Sequence, residues 1–326
     1  MKKWGLTAAG LMILAAAAYV LFEPSGAVLG RLRGESFFDG RPTGYWARSL
    51  CGDPATAVDA MERLREGQAD SVPVLIELLE DTGPNSAELR WTAAELLGEI
   101  GVAAKPASGA LLTALTDPDP HVRAVAAHSL PAIGVAADQA IPALTAMLET
   151  DQQMVAARVM SQYTADAKPA LPDLIEVLTD TSLDSETRWN AARTIGKIGA
   201  DAAEAIPVLV VCLEDEVDTV REHSAEALGD IGPPAGSAAR ALAAVLNDPA
   251  TRVRRDAVRS LGQIGDEALV AVPEIKKLLD DPEEIVRDAA KNTLRTIAPA
   301  ELPAEKEISG EPTSSVEATD RHSPAP

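Results

Sequence analysis

Residues Asp248–Leu279 read DPATRVRRDAVRSLGQIGDEALVAVPEIKKLL, and the pattern returns along most of the chain at a nearly fixed interval. The arginine of its Val-Arg pair recurs as Arg90, Arg123, Arg188, Arg221, Arg254 and Arg287. Most steps are 33 residues, and 123 to 188 is two steps less one residue. The glycine closing each xIG keeps the same register at Gly101, Gly134, Gly199, Gly232 and Gly265, with Ala298 in its place at the end. Two markers in one register identify a tandem array whose units cannot bury their apolar faces alone and must stack.

Within this unit Val253, Ala257, Leu261 and Ile264 fall at the spacing of an amphipathic helix, here called helix A. Asp248-Pro249 at its start offers a side-chain acceptor and a residue without an N–H, both suited to a helix N-terminus. Asp53-Pro54, Asp119-Pro120 and Asp281-Pro282 repeat the device. Gly265 can take the left-handed conformation that ends helix A. Helix B then begins near Pro273 and turns Ile275, Leu278 and Leu279 inward.

The pattern DPxxRVRxxAVxxLGxIG…AVPxIxxLL resembles HEAT repeats, in particular the short bacterial kind seen in phycobilin lyase subunits, over roughly Asp53 to Pro299. That resemblance implies an all-α protein: a right-handed α-solenoid of about seven antiparallel helix pairs, residues 53–298. It carries fold rather than function, because such repeats serve many roles. Repeat four departs from the pattern. Ala156 stands at the arginine position, the expected inter-helix turn Thr164–Lys168 is about three residues short and lacks glycine, and Thr181–Thr187 is long, so a change of pitch is expected there.

Hydrophobic residues make up 46% of the chain but aromatics only 3%, so the core must be Ala, Leu, Val and Ile, small enough for close stacking. Cys51 and Cys212 lie about five repeats apart; at roughly 10 Å per stacked helix pair they stand far beyond the ~7 Å Cα limit for a disulfide. Residues Trp4–Phe22 carry no charge and follow Lys2 and Lys3. As a helix this stretch spans about 28 Å, near the bilayer hydrocarbon thickness. It predicts one N-terminal transmembrane helix (residues 1–27) in a bacterial inner membrane, with the solenoid on the periplasmic side. The rival is a signal peptide cut near Ser25-Gly26-Ala27, which would release the protein to the periplasm. Residues 28–52 read as linker and N-terminal cap, with Phe37, Phe38, Tyr45 and Trp46 covering the first repeat. Residues 299–326, rich in Pro, Ser, Glu and Thr, read as a disordered acidic tail.

The chain carries −21 net charge; removing +3 for the first fifty residues and −4 for the tail leaves −20 on the solenoid. Such a body repels nucleic-acid backbones. Hydroxylases built from HEAT repeats use His-Glu pairs for di-iron, but His121, His128, His223 and His322 are followed by Val, Ser, Ser and Ser. No Ser-His-Asp, CxxC, GxxxxGK or HExxH signature occurs, and neither a catalytic residue nor a cofactor or metal site is assigned. Asp117, Asp215, Asp248 and Asp281 each precede a register arginine by six residues, which suggests a ladder of ion pairs. Arg252, Arg255 and Arg259 form a basic stripe on one helix.

Candidate binding residues come from comparing registers. One position after the arginine, Ala124, Glu222, Arg255 and Asp288 read as mostly solvent-facing, whereas two repeats carry Trp91 and Trp189, suited to anchoring a partner. Helix B contributes Glu77, Glu80, Glu149, Glu176 and Glu214, expected to line the concave side as an acidic ridge for a basic or polar protein segment. The sequence therefore predicts a non-catalytic protein-binding scaffold held at the membrane. Its alternative is a lyase-like accessory subunit that grips the substrate of a modifying enzyme.

Overall fold

In this computed structural model residue 18 and residues 25–83 and 86–302 are described. An N-terminal cap comes first: α1 (Ala27–Arg33), a hairpin of β1 (Phe37–Phe38) and β2 (Arg41–Pro42), and α2 (Thr43–Leu50). Helices A and B then alternate. The A helices are α3 (Pro54–Glu66), α5 (Ala87–Ile100), α7 (Pro120–Ala132), α9 (Gln153–Met160), α11 (Ser185–Ile198), α13 (Asp218–Ile231), α15 (Thr251–Ile264) and α17 (Glu284–Ile297). The B helices are α4 (Val72–Leu79), α6 (Ser108–Ala114), α8 (Ala137–Leu148), α10 (Leu171–Thr179), α12 (Ile206–Cys212), α14 (Ala239–Ala244) and α16 (Val272–Lys277). Among the described residues this makes seven helix pairs and a final A helix, with a 3-10 segment between A and B in every pair but the third.

The expectation of an N-terminal transmembrane helix is overturned: among the described residues no helix is long and apolar enough to cross a membrane. The longest A helices have 14 residues, about 21 Å against the ~30 Å of a bilayer core, and each keeps a polar face. The stretch Trp4–Phe22 lies, Ala18 apart, outside the described residues, as does 303–326, where the disordered tail was expected. Pro299–Glu301 instead forms a 3-10 turn, tied down by Lys276 Nζ to Glu301 at 2.9 Å. Cys51 and Cys212 are both free thiols.

Residues 28–52, read as linker and N-terminal cap, hold the first helix, the hairpin and the second helix. Asp39 and Gly40 both have positive φ (50° and 69°), as a two-residue hairpin turn requires. The hairpin brings Phe38 onto the fully buried Trp46, ring centroids 5.4 Å apart, and Trp46 Nε1 donates to the Phe38 carbonyl at 3.2 Å. Aromatics scarce elsewhere thus cover the open end of the first repeat.

Successive A helices lie directly against one another, above all from α11 to α17, whereas successive B helices touch at few points. Two sequence positions make this close approach possible. Eight residues after the register arginine stand Gly98, Gly196, Gly229 and Gly262; six after it stand Ser129, Thr194, Ser260 and Thr293. Each of these hydroxyls donates to a carbonyl of the preceding A helix: Ser129 to Ala94 at 2.8 Å, Thr194 to Ala157, Ser260 to Ala225 and Thr293 to Val258 at 2.7 Å. A Cβ on Gly98 would meet Ser129 Oγ at 2.6 Å, and one on Gly196 would meet the Ala227 Cα at 2.9 Å. In α17 the glycine position is Arg295 and the small apolar position four after the arginine is Lys291. Long charged side chains thus stand in α17 where the earlier A helices carry the small residues on which the next A helix packs.

The arginine register forms a ladder across the repeats. Arg90 Nε and Nη2 meet Asp117 at 2.6 and 2.9 Å, Arg221 meets Asp248 at 2.7 and 3.0 Å, and Arg254 meets Asp281 at 2.9 and 3.0 Å. Arg188 pairs likewise with Asp215, and Arg123 with Asp151 at 2.6 Å. The partner is thus the aspartate of the following repeat, while the same guanidinium grips its own repeat's loop: Arg221 Nη1 to the Asp215 carbonyl at 2.7 Å, Arg254 Nη1 to that of Asp248 at 2.9 Å. This corrects the capping role read into Asp248-Pro249 and Asp281-Pro282. There the helix starts two residues later, at Thr251 and Glu284, and the aspartate serves the ladder. In Asp117-Pro118-Asp119-Pro120 the two duties separate: Asp117 holds Arg90, and Asp119 caps α7 through the N–H groups of His121 and Val122. Asp53 caps α3 in the same way.

Repeat four is short in helix A rather than in its turn. The α9 segment kinks at Thr164, whose φ 51°, ψ −127° match those of Gly199 (74°, −144°) and Gly232 (75°, −140°). Seven residues separate Thr164 from the start of α10, as seven separate Gly199 from α12. About one helical turn is missing, and Ala156 leaves the ladder without a rung. At the same junction Tyr163 Oη and Asn190 Oδ1 are buried with no hydrogen-bond partner among the described residues. Burial pushes the Tyr163 phenol up to about 12.

Three measurements check this fold by thermal or urea denaturation. Gly229→Ala, whose Cβ would press on Ser260 Cβ at 2.7 Å, should destabilise by about 1–3 kcal/mol, while Gly109→Ala, with open space around it, should not destabilise. Thr164→Gly should stabilise by about 1 kcal/mol, since a β-branched residue in this backbone region is strained by ~1–3 kcal/mol and glycine returns part of that as chain entropy. Asp248→Ala should cost about 3–5 kcal/mol by stranding the largely buried Arg221. The ladder also sets an acid limit. Burial pushes the Asp215 and Asp281 carboxyls up, but hydrogen bonds from Arg188 and Arg254 and from the Val217 and Glu283 N–H groups outweigh it. Both end below the usual 3.8. Their stabilisation is complete above the unfolded value and is lost as pH falls through the lower folded values, so the melting temperature should drop below about pH 4.

Candidate binding face

Because A helices touch along their lengths and B helices splay, a stack of these pairs curves with the A row on its inner side. The glutamate ridge was expected on that inner side. Glu176 is exposed on α10, whereas Glu80, Glu149 and Glu214 are exposed just past the ends of α4, α8 and α12, in the turns that lead to the next A helix. Glu77 is half-buried and engaged: its carboxylate accepts from the Ser36 N–H at 2.8 Å, the Ser36 hydroxyl at 2.6 Å and the Thr43 hydroxyl. It pins the cap to α4 and does not face a partner. Every other residue of the ridge stands alone on its own repeat.

The inner side is built from A-helix positions at −2, +1 and +5 relative to the register arginine. The +1 position is less open than the sequence suggests, because it sits in the trough between neighbouring A helices. Glu222 is buried there and receives Arg255 Nη2 at 3.4 Å from the next repeat. Arg255 also meets Asp256 through Nε at 2.9 Å, and Arg259 joins the same carboxylate at 3.1 Å. The apparent basic stripe is therefore largely compensated by one buried aspartate. Between α15 and α17 an open groove of about 770 Å³ runs beside Arg255, Arg259, Ile285, Asp288 and Asn292.

Trp91 and Trp189 are half-buried in this trough, three repeats apart. Each leans on a histidine of the following A helix: Trp91 edge-on to His121 with centroids 5.2 Å apart, Trp189 stacked on His223 at 4.6 Å and 24°. Contacts of this kind are worth about 0.5–1.5 kcal/mol beyond area. His223 Nδ1 lies 3.0 Å from Glu226, whose carboxyl is held below its usual range by that bond. The histidines were not assigned from sequence. Their signal was the offset of about one repeat from each tryptophan, 91 to 121 and 189 to 223. Among the described residues no cluster of His, Cys, Asp or Glu is arranged to hold a metal ion.

The family profile for HEAT repeats matches residues 85–163, 153–229, 171–245 and 212–295. The chain belongs to the HEAT repeats. The match is to HEAT repeats in general and does not single out the phycobilin lyase type. No curated protein matches the chain. Among solved structures, Kap121p bound to Nup53p superposes with a TM-score of 0.56 at 14% identity, over 85% of this chain and 35% of that one. Kap121p bound to Pho4p gives 0.56 at 13% identity with the same coverage. This HEAT chain thus spans about a third of the length of those proteins, and the likeness is one of fold.

Proposed function

We propose that this HEAT solenoid is a non-catalytic scaffold that binds a protein partner as an extended segment laid across the inner, A-helix side. The observation that carries the reading is the pair of half-buried indoles at one register position, where Ala124, Glu222, Arg255 and Asp288 stand in other repeats. At roughly 10 Å per repeat the indoles lie about 30 Å apart, a span that about nine extended residues cover. Large aromatic groups that keep some exposed surface in an otherwise polar trough are the kind of anchor on which interface energy concentrates. The trough's alternating carboxylates and guanidinium groups would set register and orientation. The fold supports this reading, since the similar solved structures include Kap121p bound to Nup53p and to Pho4p.

Affinity capture from the native host with the full chain and with Trp91→Ala/Trp189→Ala tests it. A stoichiometric protein held by the wild type and lost from the double variant is expected, with the variant's circular dichroism unchanged. A partner retained at equal yield by the variant, or one lost only on changing Glu149 and Glu214, would move the site off the inner face.

A further inference from the structure

The two indoles stand in different electrostatic settings, and the difference specifies what each can hold. Around Trp189, Glu186 three residues before is balanced by Arg193 four residues after, and the ring is covered by His223. Around Trp91, the same two positions are Glu88 and Glu95. Residues at i−3 and i+4 project beside residue i on one helix face. Both glutamates are exposed, and neither meets a basic side chain at ion-pair distance among the described residues. The next acid on this face, Glu99, is already taken by Arg65 at 2.6 Å. Across the trough in α7 the facing positions are His121, Ala124 and His128, and burial together with Arg158 lowers the His128 pKa.

The geometry points to a lysine or arginine side chain of the bound segment seated on Trp91 between Glu88 and Glu95. This rests on the reading of the A row as the protein-binding side and names the chemistry of its N-terminal anchor. A cation within about 6 Å of an indole centroid is attracted by the ring quadrupole. Two flanking carboxylates supply the counter-charge that a neutral apolar side chain could not use. The −21 net charge adds long-range attraction for a basic segment. Trp189, with its charges already balanced, accepts an apolar or aromatic side chain instead.

The test uses the full chain and three acetylated, amidated dodecapeptides of one glycine-serine sequence, carrying two lysines, two norleucines or two glutamates at the same positions. Binding is read from the indole N–H resonances, with that of Trp91 identified by its loss in Trp91→Phe. The lysine peptide should shift the Trp91 resonance saturably and bind at least tenfold tighter than the norleucine peptide. Affinity should fall about tenfold in Glu88→Gln/Glu95→Gln and again between 50 and 500 mM salt. Unchanged melting of the glutamine variant shows that its fold is intact. Equal binding of lysine and norleucine peptides at Trp91 would overturn the cation assignment and leave the scaffold reading standing. So would an affinity unaffected by the two glutamine substitutions. Failure of all three peptides to move the Trp91 resonance at millimolar concentration also overturns it, while loss of the captured partner in the tryptophan variants decides the scaffold reading separately.

Discussion

The distance between one A helix and the next governs the rest of this molecule. It is short because glycine on one helix faces serine, threonine or alanine on its neighbour, and because the hydroxyls bond directly to the neighbour's backbone. Side chains of this size leave no room for large core residues, which accounts for a chain almost without aromatics. Close A-helix contacts on one side and sparse B-helix contacts on the other bend the stack and decide which row is recessed. The Arg–Asp ladder at the helix starts then fixes how far each repeat advances on the last, because one guanidinium ties its own loop to the carboxylate of the next.

Much of this was legible in the sequence. The recurrence of arginine and glycine at 33 residues yielded the helix pairs, their order and their number, and the aromatic lead-in yielded the cap. The aspartates before each arginine announced the ladder but not its direction. An Asp-Pro pair is equally good chemistry for capping a helix and for receiving an arginine from the preceding repeat. Only the two-residue offset of Thr251 and Glu284 from their Asp-Pro pairs separates the two. Repeat four shows the same limit. Counting residues between markers reveals three missing, but a helix and a turn of different lengths give the same sum. It took the glycine-like backbone of Thr164 to place the deletion in the helix. The transmembrane reading rested on hydropathy alone, and no described helix supports it.

The binding face was half legible. Trp91 and Trp189 stood out because their register position is otherwise small or charged, and both lie half-buried between neighbouring A helices. The side on which the glutamates fall depends on curvature, which follows from which helices touch, and a periodic pattern says only that both faces of each pair are buried. Glu77 was lost to the cap for a related reason. Its partners Ser36 and Thr43 lie more than thirty residues earlier, outside the repeat whose logic selected it. Rungs join repeats two to four, and again repeats five to seven and the final A helix, while the junction between repeats four and five lacks a rung, a helical turn and two hydrogen-bond partners. The tryptophans stand on either side of that weak junction, so its angle sets the distance between the two anchors.

The curvature itself is open to one direct measurement. Spin labels on a background lacking Cys51 and Cys212 can be placed two repeats apart on each row, at positions 193 and 259 on A helices and at 211 and 277 on B helices. All four sites are exposed. Both pairs are separated by the same 66 residues in the sequence. Pulsed dipolar spectroscopy should return a clearly shorter distance for the A pair, as an inner row requires. Equal distances, or a shorter B pair, would contradict the account and place the glutamate row, not the tryptophans, on the recessed side.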